Sequence, residues 1–228
     1  MKFNQGRDRL IESLSFARRI YGIKLLFTKG WTENTKWFLL DYERMKYCIR
    51  LKKSGWVLDF GAYKGDYTAN LLKRSENFKF KIYEPVPEFY EICNVRFKGN
   101  VNIEVYNKAV SSDGRALQME IDGPRTRLQN TESLLFCESI SIEDALRDMD
   151  VVELIKMNIE GMEYECLETA INTGLLGKVN NLLIQFHNFE TNSEIDYRNI
   201  TNLLEKDFTK VFGYKWLWEH WKRNSALE

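Results

Sequence analysis

The sequence has no surplus of charge of either sign: Lys plus Arg and Asp plus Glu each total 33, for a formal net charge of +0 at pH 7. Without a net field, long-range attraction of nucleic acid or of an acidic polymer is not expected, and any basic surface must be local. The four cysteines, Cys48, Cys93, Cys137 and Cys166, form no CxxC and no Cys/His pattern. No zinc site, other metal or disulfide framework is therefore expected, and the thiols read as reduced core side chains. No uninterrupted apolar run approaches the roughly 18 residues of a membrane span, and no apolar segment near the N-terminus leads to a small-residue cleavage site. A cytoplasmic location is the expectation. Internal repeats and low-complexity tracts are also missing.

What is present is a 228-residue chain, 44% hydrophobic and 29% charged, enough apolar material for one sizeable core. The expected organisation is an N-terminal helical extension over 1–52, packed on a single main unit over 53–228 that carries a β insertion near 112–142. From Arg9 to Leu26, apolar residues recur at helical spacing, with Arg7, Arg9, Arg18 and Arg19 among them. Such a basic amphipathic helix suits an anionic membrane surface, although packing on its own domain is the commoner outcome. With the aromatic segment WLWEHWKR near the C-terminus, it leaves peripheral attachment to a membrane or an assembly open. Oligomeric state is not legible.

The segment WVLDFGAYKGDYTANLL passes from an apolar run through a Gly-rich turn into a helical pattern. The alternation continues with FKFKIYEP, PEFYEICNVRF, VNIEVYNKAV, ELIKMNIEG, MEYECLETAI and NNLLIQFH. Strands alternating with helices predict a mostly parallel sheet covered on both faces, an α/β doubly wound architecture. Between Ser112 and Ile142, ALQMEI and FCESISI read as short strands around a polar loop. Arg125 and Arg127 in that loop are candidate substrate contacts, or simply solvated charges. A helix near Ser193 to Lys206 and strands around Lys210 to Tyr214 and Trp216 to Trp221 complete the expected fold.

The turn after the first strand carries the strongest chemical signal. Gly61 and Gly65 let the chain bend and let backbone approach a ligand where a Cβ would intrude. Backbone N–H groups at such a turn suit a polar or anionic ligand edge, and Asp59 at the strand end can brace the turn or reach a cationic ligand through water. About 20 residues further on, Glu84 ends the next strand, where an acid can bind both hydroxyls of a ribose. Dinucleotide binding is the rival reading. It needs GxGxxG, however, and the order Gly61, Ala62, Tyr63, Lys64, Gly65 lacks the middle glycine. Asp59 and Asp66 also add negative charge that disfavours a diphosphate.

At these residues the chain resembles the FkbM family of S-adenosylmethionine-dependent methyltransferases. VLDFGAYKGDYT, IYEPVP, NKAVSSDG and LIKMNIEGMEYECL, followed by IQFH, occur in the family's order from about Trp56 to His187. The resemblance implies a Rossmann-like class I methyltransferase fold, with a seven-stranded sheet whose last strand is antiparallel, and methyl transfer usually to a hydroxyl oxygen. It assigns Asp59, Gly61, Ala62, Tyr63, Gly65, Tyr67 and Thr68 to the cofactor loop, and Glu84 with Pro85 to the ribose. Asn107 and Ala109 fall where the adenine side is lined. Two departures stand out: Tyr63 where the family usually has Asn, and Asn158 where it often has Asp. An amide at 158 can orient a hydroxyl or the cofactor's amino group, but it is not a general base.

His187, after the strand LLIQF, is the natural proton acceptor, since an unperturbed imidazole titrates near ~6.5. Glu160 and Glu163 are the other candidate bases or substrate holders, or acids favouring the start of a helix. The expected activity is O-methylation of a sugar or related small metabolite, with S-adenosylmethionine as cofactor and no nucleic-acid partner. The alternatives are a binding or scaffold protein that keeps the fold without turnover, for which Asn158 is the hint, and a nicotinamide-dependent dehydrogenase.

Overall fold

In a computed structural model, the backbone is described for residues 46–52, 54–74, 77–122, 125–127 and 134–225, and side chains for these residues outside 120–135. The chain divides into two units, 1–48 and 49–228. The helix expected over Arg9 to Leu26 lies outside the described residues.

The strands follow from burial on both faces. β1 (Gly55–Phe60), β9 (Val152–Met157) and β10 (Asn181–Gln185) have almost every side chain buried, as near-continuous apolar runs in a covered parallel sheet require. β2 (Phe78–Tyr83) buries Phe78, Phe80 and Ile82 but exposes Lys79, and β3 (Ile103–Tyr106) forms the edge beside it. The seven-stranded sheet has the order β11-β12-β10-β9-β1-β2-β3. Its members β3, β2, β1, β9 and β10 run parallel, while β12 (Trp218–Arg223) lies antiparallel between β10 and β11 (Phe208–Gly213). The last strand in the chain is thus the antiparallel one. From β1 the chain winds outward to β2 and β3, then returns to the other side of β1 through β9 and β10. This reversal makes the sheet doubly wound and opens a crevice at the C-terminal ends of the strands.

Helices fill the connections: α1 (Asp66–Leu72), α2 (Pro87–Phe97), α3 (Ile142–Leu146), α4 (Glu163–Asn172) and α5 (Ser193–Leu204). Pro87 opens α2 at a position where a missing N–H is harmless. Ser141 caps α3 by accepting a hydrogen bond from the Asp144 N–H at 3.0 Å. Phe60, Ile155, Met157, Leu182, Ile184, Phe186 and Trp221 share one buried cluster, each large side chain contributing about 1.5–3 kcal/mol by leaving water.

The middle of the chain differs from its expected strands. VNIEVYNKAV divides into β3 and β4 (Ala109–Ser111), and FCESISI into β7 (Leu134–Cys137) and β8 (Ser139–Ser141). β4 pairs in parallel with β8, while β5 (Leu117–Asp122) pairs antiparallel with β6 (Arg125–Arg127) and β7. Each split marks a change of pairing partner, which strand propensity does not register.

Candidate active site

The Gly-rich turn leaves β1 at the crevice, and its backbone is shaped by the neighbouring strands. The Gly61 and Ala62 N–H groups both donate to the Tyr83 carbonyl, at 2.9 and 3.2 Å, and the Gly65 N–H donates to the Ala62 carbonyl at 2.9 Å. The Tyr63 N–H donates to Glu84 Oε2 at 2.6 Å. These four donors therefore hold the turn itself. Gly61 has φ 74°, and a Cβ there would lie 1.9 Å from the Asn158 carbonyl oxygen. That close approach continues in the Asn158 N–H, which donates to the Phe60 carbonyl at 3.0 Å. Tyr63 takes φ 54°, a left-handed conformation that Asn tolerates better than Tyr, and its ring packs edge-on against Phe89 at 4.3 Å.

Beneath the turn, Asp59 is fully buried. Its Oδ2 accepts from the Thr68 hydroxyl at 2.9 Å and its Oδ1 meets Lys156 Nζ at 3.0 Å. Lys156 also donates to the Gly61 carbonyl, tying β9 to the turn. Asp59 is thus a brace below the site. Its charge is matched by Lys156, and that of Asp66 by Arg96 at 2.7 Å. With both charges matched, these two acids do not repel a diphosphate, and only the missing middle glycine disfavours one. Lys156 was not singled out from sequence. Its signal is a single lysine inside the otherwise apolar-and-acid strand VELIKM, all six of whose residues are buried.

Glu84 sits at the end of β2, nearly buried. Each oxygen accepts one backbone N–H, from Tyr63 and, at 3.0 Å, from Val86. Burial pushes its pKa up to about 7, against the lowering effect of the Val86 and Tyr63 N–H groups and of Lys156. A carboxylate has about four acceptor sites, so capacity remains for a diol. Asn107 Nδ2 donates to the Glu84 and Pro85 carbonyls at 2.9 and 3.0 Å, fixing the backbone that carries the acid. Ala109 and Tyr67 are buried. Ala109 belongs to the core cluster, and its N–H donates to the Glu138 carbonyl.

Across the crevice, the loop after β9 and the end of β10 assemble the second group. Glu163 is fully buried. Its Oε1 accepts from the Ile159 N–H at 2.9 Å, its Oε2 from the Gly161 N–H at 2.9 Å, and His187 Nδ1 lies 2.8 Å from Oε1. Glu163 is thus engaged by its own loop and by the His187 ring. Glu160, at φ 56°, brings Oε2 to 3.5 Å from His187 Nε2. Burial lowers the His187 pKa, but the charges of Glu163 and Glu160 and the Glu163 hydrogen bond outweigh it, so the net shift is upward. Asn158 Oδ1 is a buried acceptor with no hydrogen-bond partner among the described residues, beside the Gly61 turn. The side chains of Arg125 and Arg127 lie outside the described residues. Among the described residues, no cluster of His, Cys, Asp and Glu is arranged to hold a metal ion, and no helix is long and apolar enough to cross a membrane.

A glycine turn at the switch point, an acid one strand over and an antiparallel last strand define a Rossmann-like class I methyltransferase fold. The chain belongs to the methyltransferase FkbM domain family, whose model matches residues 59–215. It is a methyltransferase by family. No curated protein sequence matches it. Similar solved structures include an rRNA methylase from Streptococcus thermophilus, at 11% identity and TM-score 0.48, covering 80% of this chain and 95% of that one. A precorrin-6y C5,15-methyltransferase from Geobacter metallireducens matches at 14% identity and TM-score 0.43, covering 79% and 86%. A proposed methyltransferase from Streptococcus mutans in complex with SAH matches at 9% identity and TM-score 0.49, covering 79% and 95%.

Proposed function

We propose that the protein transfers the methyl group of S-adenosylmethionine to a hydroxyl oxygen of a neutral sugar or a related small metabolite. What supports this reading is that the Glu84-braced turn and a histidine held between two carboxylates both follow the C-terminal ends of parallel strands of one sheet. Glu84 has acceptor capacity for the ribose hydroxyls, and the unpartnered Asn158 Oδ1 suits the cofactor's amino group. When bound, the cofactor supplies an electrophilic methyl carbon on a sulfonium. The protein's task is then to align the acceptor oxygen and take its proton. His187 Nε2 is the group suited to receive that proton, because Nδ1 is engaged by Glu163.

The test is methyl transfer from labelled S-adenosylmethionine across a panel of neutral methyl glycosides, glycolipids and polyketides, with tRNA and rRNA fragments as the contrast. Label in a glycoside supports the reading; label only in RNA overturns it. A second reading, a methyltransferase fold kept for binding, rests on Asn158 in place of the family's usual Asp. Activity gained in Asn158→Asp points to a decayed site, and activity lost points to one specialised around the amide.

A further inference from the structure

We propose that Glu163 is the positioning residue of the transfer, fixing the His187 tautomer and the shape of the acceptor loop with one buried carboxylate. This deepens the proposed function and rests on it.

Three groups from two segments meet at Glu163: the Ile159 and Gly161 N–H groups of the loop after β9, and the His187 ring after β10. The loop between them carries Glu160 in a left-handed conformation, at φ 56°, followed by Gly161 at φ 106°. A non-glycine residue such as Glu160 persists at positive φ only where its surroundings over-determine it. Here the surroundings are the Glu163 oxygens, one on either side of Glu160. Of the two ring nitrogens, only Nδ1 reaches this carboxylate, which as an acceptor favours Nδ1–H, so a neutral His187 presents its lone pair at Nε2. Nε2 is the nitrogen that faces Glu160, at 3.5 Å.

The groups facing the ring are therefore Glu163 from α4, Glu160 from the loop and the Phe189 ring, at 4.9 Å. The Tyr164 hydroxyl holds the His187 backbone by donating to its carbonyl at 2.5 Å. With both nitrogens opposite carboxylates, the free protein favours the imidazolium. An acceptor hydroxyl entering between Nε2 and Glu160 meets a base once the ring is neutral. His187 Nε2 would then take the proton of the acceptor oxygen, and S-adenosylmethionine held at the Glu84-braced turn would supply the methyl carbon to that oxygen, the electron pair of its carbon–sulfur bond staying on sulfur.

The deciding experiment follows His187 by nitrogen-15 NMR through a pH titration in the wild-type protein, Glu163→Gln and Glu163→Asp, with His187→Gln to separate its signals from those of His220. In the wild type the neutral ring is expected to carry its proton on Nδ1. In Glu163→Gln the titration midpoint is expected to fall, and turnover of a methyl glycoside to fall by roughly two orders of magnitude with its pH limb displaced the same way. Glu163→Asp, which keeps the charge, is expected to retain the wild-type direction of the limb even if the Gln variant does not fold. S-adenosylhomocysteine binding reports folding. An Nε2–H tautomer in the wild type overturns the assignment, as does a His187 midpoint unmoved in a folded Glu163→Gln protein. A wild type that neither binds S-adenosylhomocysteine nor methylates a glycoside, yet shows the Nδ1–H tautomer, defeats the proposed function and not this geometry.

Discussion

Lys156 Nζ lies 3.0 Å from Asp59 Oδ1, and the two residues stand directly opposite each other in the register of β1 and β9. Side-chain exposure is 6% for the lysine and 0% for the aspartate, so neither charge has water to fall back on. Lys156→Met strands a buried carboxylate and is expected to lower stability by about 3–5 kcal/mol in urea unfolding. Adding Asp59→Asn removes that stranded charge and keeps an acceptor for Thr68. The double variant is therefore expected to be more stable than Lys156→Met alone.

Gly61 and Gly174 share nearly the same φ, 74° and 73°, but not the same space. A Cβ on Gly174 meets nothing within 4 Å, whereas one on Gly61 meets the Asn158 carbonyl at 1.9 Å. Gly174→Ala is expected to cost about 1 kcal/mol, the left-handed strain alone. Gly61→Ala adds a clash between two segments of the crevice and is expected to cost about 3 kcal/mol or more. Thermal unfolding of the pair separates conformational strain from crowding.

His187 has its folded pKa raised by Glu163 and Glu160 against burial. The stability it contributes is fully present below the unfolded imidazole value of about 6.5 and is lost as pH rises through the higher folded value. The stability difference between wild type and His187→Gln is thus expected to shrink as pH rises above the unfolded imidazole value of about 6.5. Turnover should move the opposite way, rising with pH as the ring loses its proton. Thermal denaturation across that range, beside the pH–rate profile, checks both signs.

The parallel strands, the glycine turn and Glu84 were legible because each is a local pattern: continuous burial, a bend that needs glycine, and an acid at a strand end. Glu163 was legible as a candidate base, a substrate holder or an acid at a helix start, but not as the brace of its loop, since its partners include backbone groups whose positions depend on Glu160 adopting a left-handed conformation. Lys156 was hidden for a different reason. Its partner Asp59 is on another strand, far away in sequence, and pairing across a sheet leaves no mark on either local pattern. The same limit explains β3 and β4, whose residues read as one strand until the chain changes partners at Asn107 and Lys108. Asp59 and Asp66 read as unmatched negative charge in the sequence because Lys156 and Arg96, which neutralise them, are distant along the chain.

The central claim is that the Glu84-braced turn holds S-adenosylmethionine, and calorimetric titration with S-adenosylmethionine and S-adenosylhomocysteine tests it most directly. Saturable binding of both is expected, with NADH silent and Glu84→Ala weakened. Because the Glu84 pKa is about 7, affinity in the wild type should rise as pH increases from about 6 to about 8, as the acid ionises and accepts the ribose hydroxyls more strongly. Binding of neither ligand, or of NADH in preference to both, would contradict the account.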